Sequence, residues 1–84
     1  MPYSLKIKNS ALKELTKVDK PYRLQIITAI DKLIENPYVG KLLKGELSGL
    51  RRIRVGSYRV IYEINEGEVL ILVLHVSHRK NIYR

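Results

Sequence analysis

Residues 50–64 read LRRIRVGSYRVIYEI. Two runs rich in β-branched and aromatic residues flank Gly56-Ser57, a two-residue turn with glycine at the first position, as a type II′ hairpin requires. Leu50–Val55 and Tyr58–Ile64 are therefore predicted to be paired strands. A two-residue turn sets the register: Val55 opposite Tyr58, Arg54 opposite Arg59 and Ile53 opposite Val60. Side chains alternate across a strand, so Ile53, Val55, Tyr58, Val60 and Tyr62 share one face and Arg52, Arg54 and Arg59 share the other.

Downstream, Asn65-Glu66-Gly67 turns the chain into a third strand, Glu68–Ser77. Its apolar middle marks it as central. If the turn has three residues, Ile64 faces Glu68, Arg59 faces Val73, and Leu70, Leu72 and Leu74 join the apolar face. His75, Ser77 and Arg79 then stand on the arginine face. A two-residue Glu66-Gly67 turn or a β-bulge would flip the third strand and move Arg79 away.

Upstream, Tyr38–Gly49 holds glycines together with Lys41 and Lys44 and reads as a loop. Asn36-Pro37 ends a helix that starts at Asp19 and Pro21, because the residue before proline avoids the α region. Its apolar stripe is Leu24, Ile27, Ile30 and Ile34, widened by Ile26 and Leu33. Asn9 and Ser10 are expected to cap a shorter helix that runs through Val18, with Leu12, Leu15 and Val18 inward. Tyr3–Lys8 alternates as a half-buried strand. The order β-α-α-β-β-β predicts an α+β fold, an antiparallel sheet with two N-terminal helices packed on one face, within a single domain over residues 1–84.

Sixteen Lys and Arg against eight Asp and Glu give a net charge of +8. That field favours a polyanionic partner, nucleic acid first. The charge is unevenly placed: Arg51, Arg52, Arg54 and Arg59 lie in one acid-free stretch, and Arg79, Lys80 and Arg84 in another. The absence of cysteine excludes disulfides and thiolate metal ligation. The longest apolar run, Val69–Leu74, falls short of the roughly 18 residues of a membrane helix. No secretory leader pattern opens the chain. A soluble cytoplasmic protein with no membrane partner is expected.

Placing Arg54 against Arg59 costs a few tenths to about 1 kcal/mol of repulsion. An anion between them converts that repulsion into binding. Metal-free RNA cleavage needs a group to activate the 2′-hydroxyl, cations to stabilise the phosphate, and an acid for the leaving oxygen. Arginine suits the second task through its bidentate fork and is a poor base for the same reason. The proton carriers available are His75, His78, Tyr83 and the lysines, and Tyr83 also offers a ring for base stacking. His75 and His78 do not form a matched metal pair, no acidic pair joins them, and no glycine-rich phosphate loop precedes a helix, so no metal or cofactor is expected.

Three segments, LSGLRRIRV over 47–55, GSYRVIY over 56–62 and VSHRKNIYR over 76–84, resemble the RelE/ParE toxin superfamily. The ending His78-Arg79-Lys80 with Tyr83 is similar to the RelE branch. The resemblance implies the toxin of a type II toxin–antitoxin pair: a ribosome-dependent, metal-independent endoribonuclease (an mRNA interferase) with a fold similar to microbial ribonucleases. Its catalytic positions fall on Arg52, Arg54, Arg59, Arg79 and Tyr83. Arg59 and Arg79 would hold the phosphate, and Tyr83 would stack on or orient the nucleotide. Arg52 and Arg54 stand where well-known RelE toxins carry lysine, which shifts the search for a proton carrier to His78 or Tyr83. Lys41, Lys44, Arg51, Lys80 and Arg84 are the cations left to contact RNA or the ribosome. The implied partners are the ribosome, mRNA and a RelB-like antitoxin, acidic or amphipathic, in a hetero-oligomeric complex. Two alternatives stay open: a ParE-like inhibitor of DNA gyrase, and a non-catalytic RNA- or ribosome-binding module.

Overall fold

The computed structural model describes residues 3–78. The strands are β1 (Ser4–Ile7), β2 (Lys41–Leu42), β3 (Arg51–Val55), β4 (Tyr58–Asn65) and β5 (Leu70–His78). The helices are α1 (Asn9–Thr16) and α2 (Lys20–Leu33), followed by 3-10 turns at Pro37–Val39 and Gly45–Leu47. The five strands form one sheet in the order β1-β5-β4-β3-β2. The expected loop over residues 38–49 thus contains a short edge strand.

The sheet is mixed, where an antiparallel one was expected. β2, β3, β4 and β5 pair antiparallel in sequence, while β1 pairs parallel with β5. Tight connections force neighbouring strands to alternate in direction; β1 is joined to the rest through two helices, which leaves its direction free.

α1 starts one residue after the sheet ends. The Lys8 N–H donates to the Val73 carbonyl at 2.9 Å, and the Lys8 carbonyl accepts from Leu12 N–H at 2.9 Å. Lys8 is therefore the N-cap, and neither Asn9 nor Ser10 caps the helix with its side chain. In α2, Asp19 is the N-cap through its carbonyl, which accepts from Arg23 N–H at 2.9 Å, and Pro21 sits in the first turn. The buried stripe of α2 is Ile26, Ile30 and Leu33. Leu24 and Ile27, expected inward, are 52% and 38% exposed. The apolar arc of α2 is wider than the sheet can cover, and only the half that carries Ile26, Ile30 and Leu33 is seated. The same holds for α1, where Ala11 and Leu15 are buried and Leu12 faces out.

The core lies between these helices and one sheet face: Ala11, Leu15 and Val18, Ile26, Ile30 and Leu33, then Val60, Tyr62, Ile71, Val73 and Val76. Tyr62 is the largest fully buried side chain. Its hydroxyl donates to the Pro37 carbonyl at 2.6 Å and accepts from the Gly40 N–H at 3.0 Å. A Cβ on Gly40 would lie 2.9 Å from Tyr62 Cζ, so only glycine lets the backbone reach the ring. Tyr62 thereby ties the segment ahead of β2 to the centre of the sheet. Burial raises the Tyr62 pKa above its ordinary value of 10.0, outweighing the Gly40 hydrogen bond and the nearby Arg51 charge, which lower it.

The β4–β5 connection differs from expectation. Asn65 pairs with Leu70, leaving a four-residue loop from Glu66 to Val69. The Asn65 side-chain oxygen accepts from Glu68 N–H at 3.0 Å, and Val69 turns the chain with φ of 51°. A β-branched residue in that left-handed region carries strain on the order of 1–3 kcal/mol.

Two measurements check this account. Tyr62→Phe leaves a buried carbonyl and a buried N–H without partners, and should cost about 1–3 kcal/mol in urea unfolding. The unfolded chain releases the tyrosine proton near pH 10 while the folded chain holds it, so wild-type stability falls as pH rises through and above 10. That fall should be shallower in Tyr62→Phe. Val69→Asn replaces a strained residue with one that tolerates the left-handed region and should raise Tm by about 4–8 °C for each 1 kcal/mol of strain relieved.

Candidate RNA-binding face

The face of the sheet away from the helices is built by the register of β3, β4 and β5. Arg54 lies opposite Arg59, Ile53 opposite Val60 and Val55 opposite Tyr58, as the Gly56-Ser57 turn predicts. Gly56 has φ of 58°, and Ser57 needs no positive φ, which is the type II′ pattern.

On β5 the pairing shifts partway. Ile64 faces Ile71 and Tyr62 faces Val73, but Ile61 faces His75 and Arg59 faces Ser77, so Leu74 is the extra residue of a β-bulge. The four-residue loop puts Ile71 and Val73, not Leu70 and Leu72, into the helix-side core. Leu70 and Leu72 stand on the arginine face, and Leu74 does not join the core cluster either. The bulge then reverses the alternation, and His75 and Ser77 return to the arginine face. The two departures add to a shift of four residues, an even number that restores the face, and Arg59 meets Ser77 where Val73 was expected.

Two cross-strand rows result. One runs Lys41, Arg52, Ile61, His75 and the next runs Arg54, Arg59, Ser77. Lys41, expected only as a loop cation, is fixed by β2 beside Arg52. Ile61 is fully buried yet lies outside the helix-side core, so the flanking side chains of this face cover it. Long arginine stems do this while keeping their heads wet. Lys6 adds a cation through its pairing with Leu72, and among the described residues Glu63 is the one carboxylate on the strand positions of this face.

Arg54 and Arg59 line a cavity of about 150 Å³ with Gly56, Ser57 and Tyr58 at the hairpin tip. The Nε of Arg59 is buried, and among the described residues it has no hydrogen-bond partner. A buried donor without a partner costs about 1–3 kcal/mol, more when charged. An anion seated between the two guanidinium groups would accept from both and remove their repulsion.

Other sequence-predicted residues lie elsewhere. Arg51 stands on the helix side, opposite Tyr62. Its Nη1 donates to the Gly40 carbonyl at 2.8 Å and the Tyr38 carbonyl at 3.4 Å, and its guanidinium sits 5.0 Å from the Tyr38 ring centre. It fastens the same segment that Tyr62 holds. Lys44 is exposed ahead of the Gly45–Leu47 turn, off the sheet. His78 pairs with Tyr58 across the strands, its ring edge-on at 5.2 Å, and so faces away from Arg59. Among the described residues His75, in the Arg52 row, is the histidine that shares the cationic face. Arg79, Lys80, Tyr83 and Arg84 lie outside the described residues.

Glu14 had no part in the sequence reading. From α1 its Oε1 accepts from the Val76 N–H at 3.2 Å, beyond the point where β1 stops pairing with β5. It holds the strand just after the bulge. The signal was faint: one acid facing a strand edge that only the fold reveals.

A family described as the ParE toxin of type II toxin–antitoxin systems, parDE, matches residues 5–83. The chain is 34% identical to the toxin RelG of Mycobacterium tuberculosis, over 100% of this chain and 99% of that one. It resembles a chain in the RelBE2 toxin–antitoxin complex of the same organism, with TM-score 0.87 and 30% identity, covering 94% of this chain and 100% of that one. It also resembles a chain of the archaeal RelE–RelB complex from Pyrococcus horikoshii, with TM-score 0.81 and 29% identity, covering 98% and 100%. With its two helices on a five-stranded mixed sheet and this match along nearly its whole length, the chain belongs to the ParE/RelE family of type II toxin–antitoxin toxins.

Proposed function

We propose that this toxin cuts mRNA in the ribosomal A site, without a metal ion, by holding the scissile phosphate on its arginine face. The observation that carries this reading is the pairing of Arg54 with Arg59, with an Nε on Arg59 that is buried and, among the described residues, unpartnered. Such a pair is unfavourable in the free protein and favourable around a phosphodiester. Arg52 and Lys41 extend the positive row for the flanking backbone. Arg79 and Tyr83 complete the site by resemblance, as a second phosphate ligand and a base-stacking ring. His75 is the described group best placed to move a proton, with Tyr83 as its counterpart from the C-terminal motif.

The partner is a RelB-like antitoxin, since the chain resembles toxins solved as RelB complexes. An acidic or amphipathic segment would satisfy the charge of this face. A gyrase-directed ParE-like activity is the second reading, supported by the name of the matching family, while the named RelG and RelBE relatives favour the first.

Translation in vitro with the purified chain tests the reading. Full-length product should disappear, and mRNA ends should map within A-site codons. Arg59→Ala and Tyr83→Ala should suppress the cuts while far-UV CD stays that of a folded chain. Inhibition of gyrase supercoiling with intact mRNA would overturn the proposal. The arginine pair makes a separate prediction. Arg54→Ala should stabilise the fold by a few tenths to about 1 kcal/mol by removing a like-charge pair. The double variant Arg54→Ala/Arg59→Ala should flatten the salt dependence of single-stranded RNA binding by about 1.4 in log K against log salt.

A further inference from the structure

Tyr58 is a wall shared by two cavities. On one side lies the 150 Å³ pocket of Arg54, Gly56, Ser57 and Arg59. On the other lies a cavity of about 220 Å³ lined by Glu14, Lys17, Val18, Tyr58, Val76, Ser77 and His78. The second is below the range of roughly 300–1,000 Å³ that holds drug-sized ligands, and suits a single ring system. Two of its walls are rings, Tyr58 and His78, which meet edge-on at 5.2 Å. It is also lined by Glu14 of α1 and by Lys17, the exposed residue that caps the C-terminal end of α1.

The cationic pocket lies at the hairpin tip and the aromatic one on the helix side of the sheet, and they meet at Tyr58; a nucleotide whose sugar passes round that end of β4 sets its phosphate in the first and its base in the second. We propose that the Glu14–Tyr58–His78 cavity is a nucleobase subsite that prefers guanine, next to the phosphate held by Arg54 and Arg59. This deepens the RNA-cleaving reading and rests on RNA being the ligand.

The preference follows from the donors and acceptors. A carboxylate accepts at about four lone-pair sites, and one bond to Val76 N–H leaves Glu14 with capacity to spare. Guanine alone presents two N–H donors, N1–H and N2–H, side by side with the O6 acceptor. The donors match the carboxylate and O6 matches the Lys17 ammonium. Uracil offers one donor there, and adenine and cytosine each set an acceptor beside their amino group. Every base can stack on an aromatic wall, so stacking supplies affinity and Glu14 supplies discrimination.

The test titrates the full chain with the four nucleoside 3′-monophosphates while recording NMR signals of the Val76 amide and the Tyr58 and His78 rings. Guanosine 3′-monophosphate should bind about five- to a hundredfold more tightly than the uridine nucleotide, as one bidentate base contact allows. It should also shift the Val76 amide. Glu14→Gln keeps an oxygen for the Val76 N–H, so the fold survives, but the amide cannot accept twice on that edge. The guanine preference should then fall below about twofold with phosphate binding retained, whereas Arg59→Ala should weaken all four nucleotides alike. Equal affinities in the wild type, no binding at millimolar nucleotide, or shifts confined to the Gly56 hairpin would overturn the proposal. Guanine preference without mRNA cutting would leave the subsite standing and sink the cleavage reading; A-site cutting with a silent Val76 amide would do the reverse.

Discussion

β4 is hydrogen-bonded on both sides, and its alternation divides the molecule. Val60, Tyr62 and Ile64 point to the helices, while Arg59, Ile61 and Glu63 point the other way. A strand in this position cannot slip by one residue without burying arginine and exposing tyrosine. The helices, the edge strand and the cationic rows all take their places from that one division. Tyr62 extends its reach by gripping Pro37 and Gly40, so the β2 edge that places Lys41 is ordered from the same strand.

The hairpin was legible because its determinant is local. Gly56 supplies the one backbone conformation the turn requires, and the pairing of Arg54 with Arg59 follows from counting. β5 was not legible to the same degree. Its stretch from Leu70 to Val76 is nearly all apolar, so no alternation marks which residues face the core. The turn before it uses Val69 in a conformation that chemistry disfavours for a β-branched residue, and no sequence rule assigns it. The bulge at Leu74 leaves no trace in the sequence. His75 and Ser77 still landed on the predicted face because the three-residue shift at the loop and the one-residue shift at the bulge together make an even number, which restores the original alternation.

Other misplacements had readable causes. Arg51 and Arg52 look equivalent as composition, but adjacent strand residues face opposite ways, and Arg51 belongs with Tyr62. The same alternation separates His78 from Ser77. The strand inside residues 38–49 has two residues, too few for any periodic signal. The inward stripe of α2 could not be chosen from its sequence, because Ile26 and Ile27 are equally apolar and only the width of the sheet decides between them.

The pairing of β1 with β5 joins the first and last strands of the described fold, and α1 also rests on β5. The local hairpins of β3, β4 and β5 close quickly, whereas β1 must wait for a partner more than sixty residues away. During synthesis the core therefore stays open until β5 has emerged, and the rows that carry His75 and Ser77 assemble at the last step. A newly made toxin passes through a stage in which its helices have no sheet to cover, and that interval is when a partner able to bind an incomplete chain has its advantage.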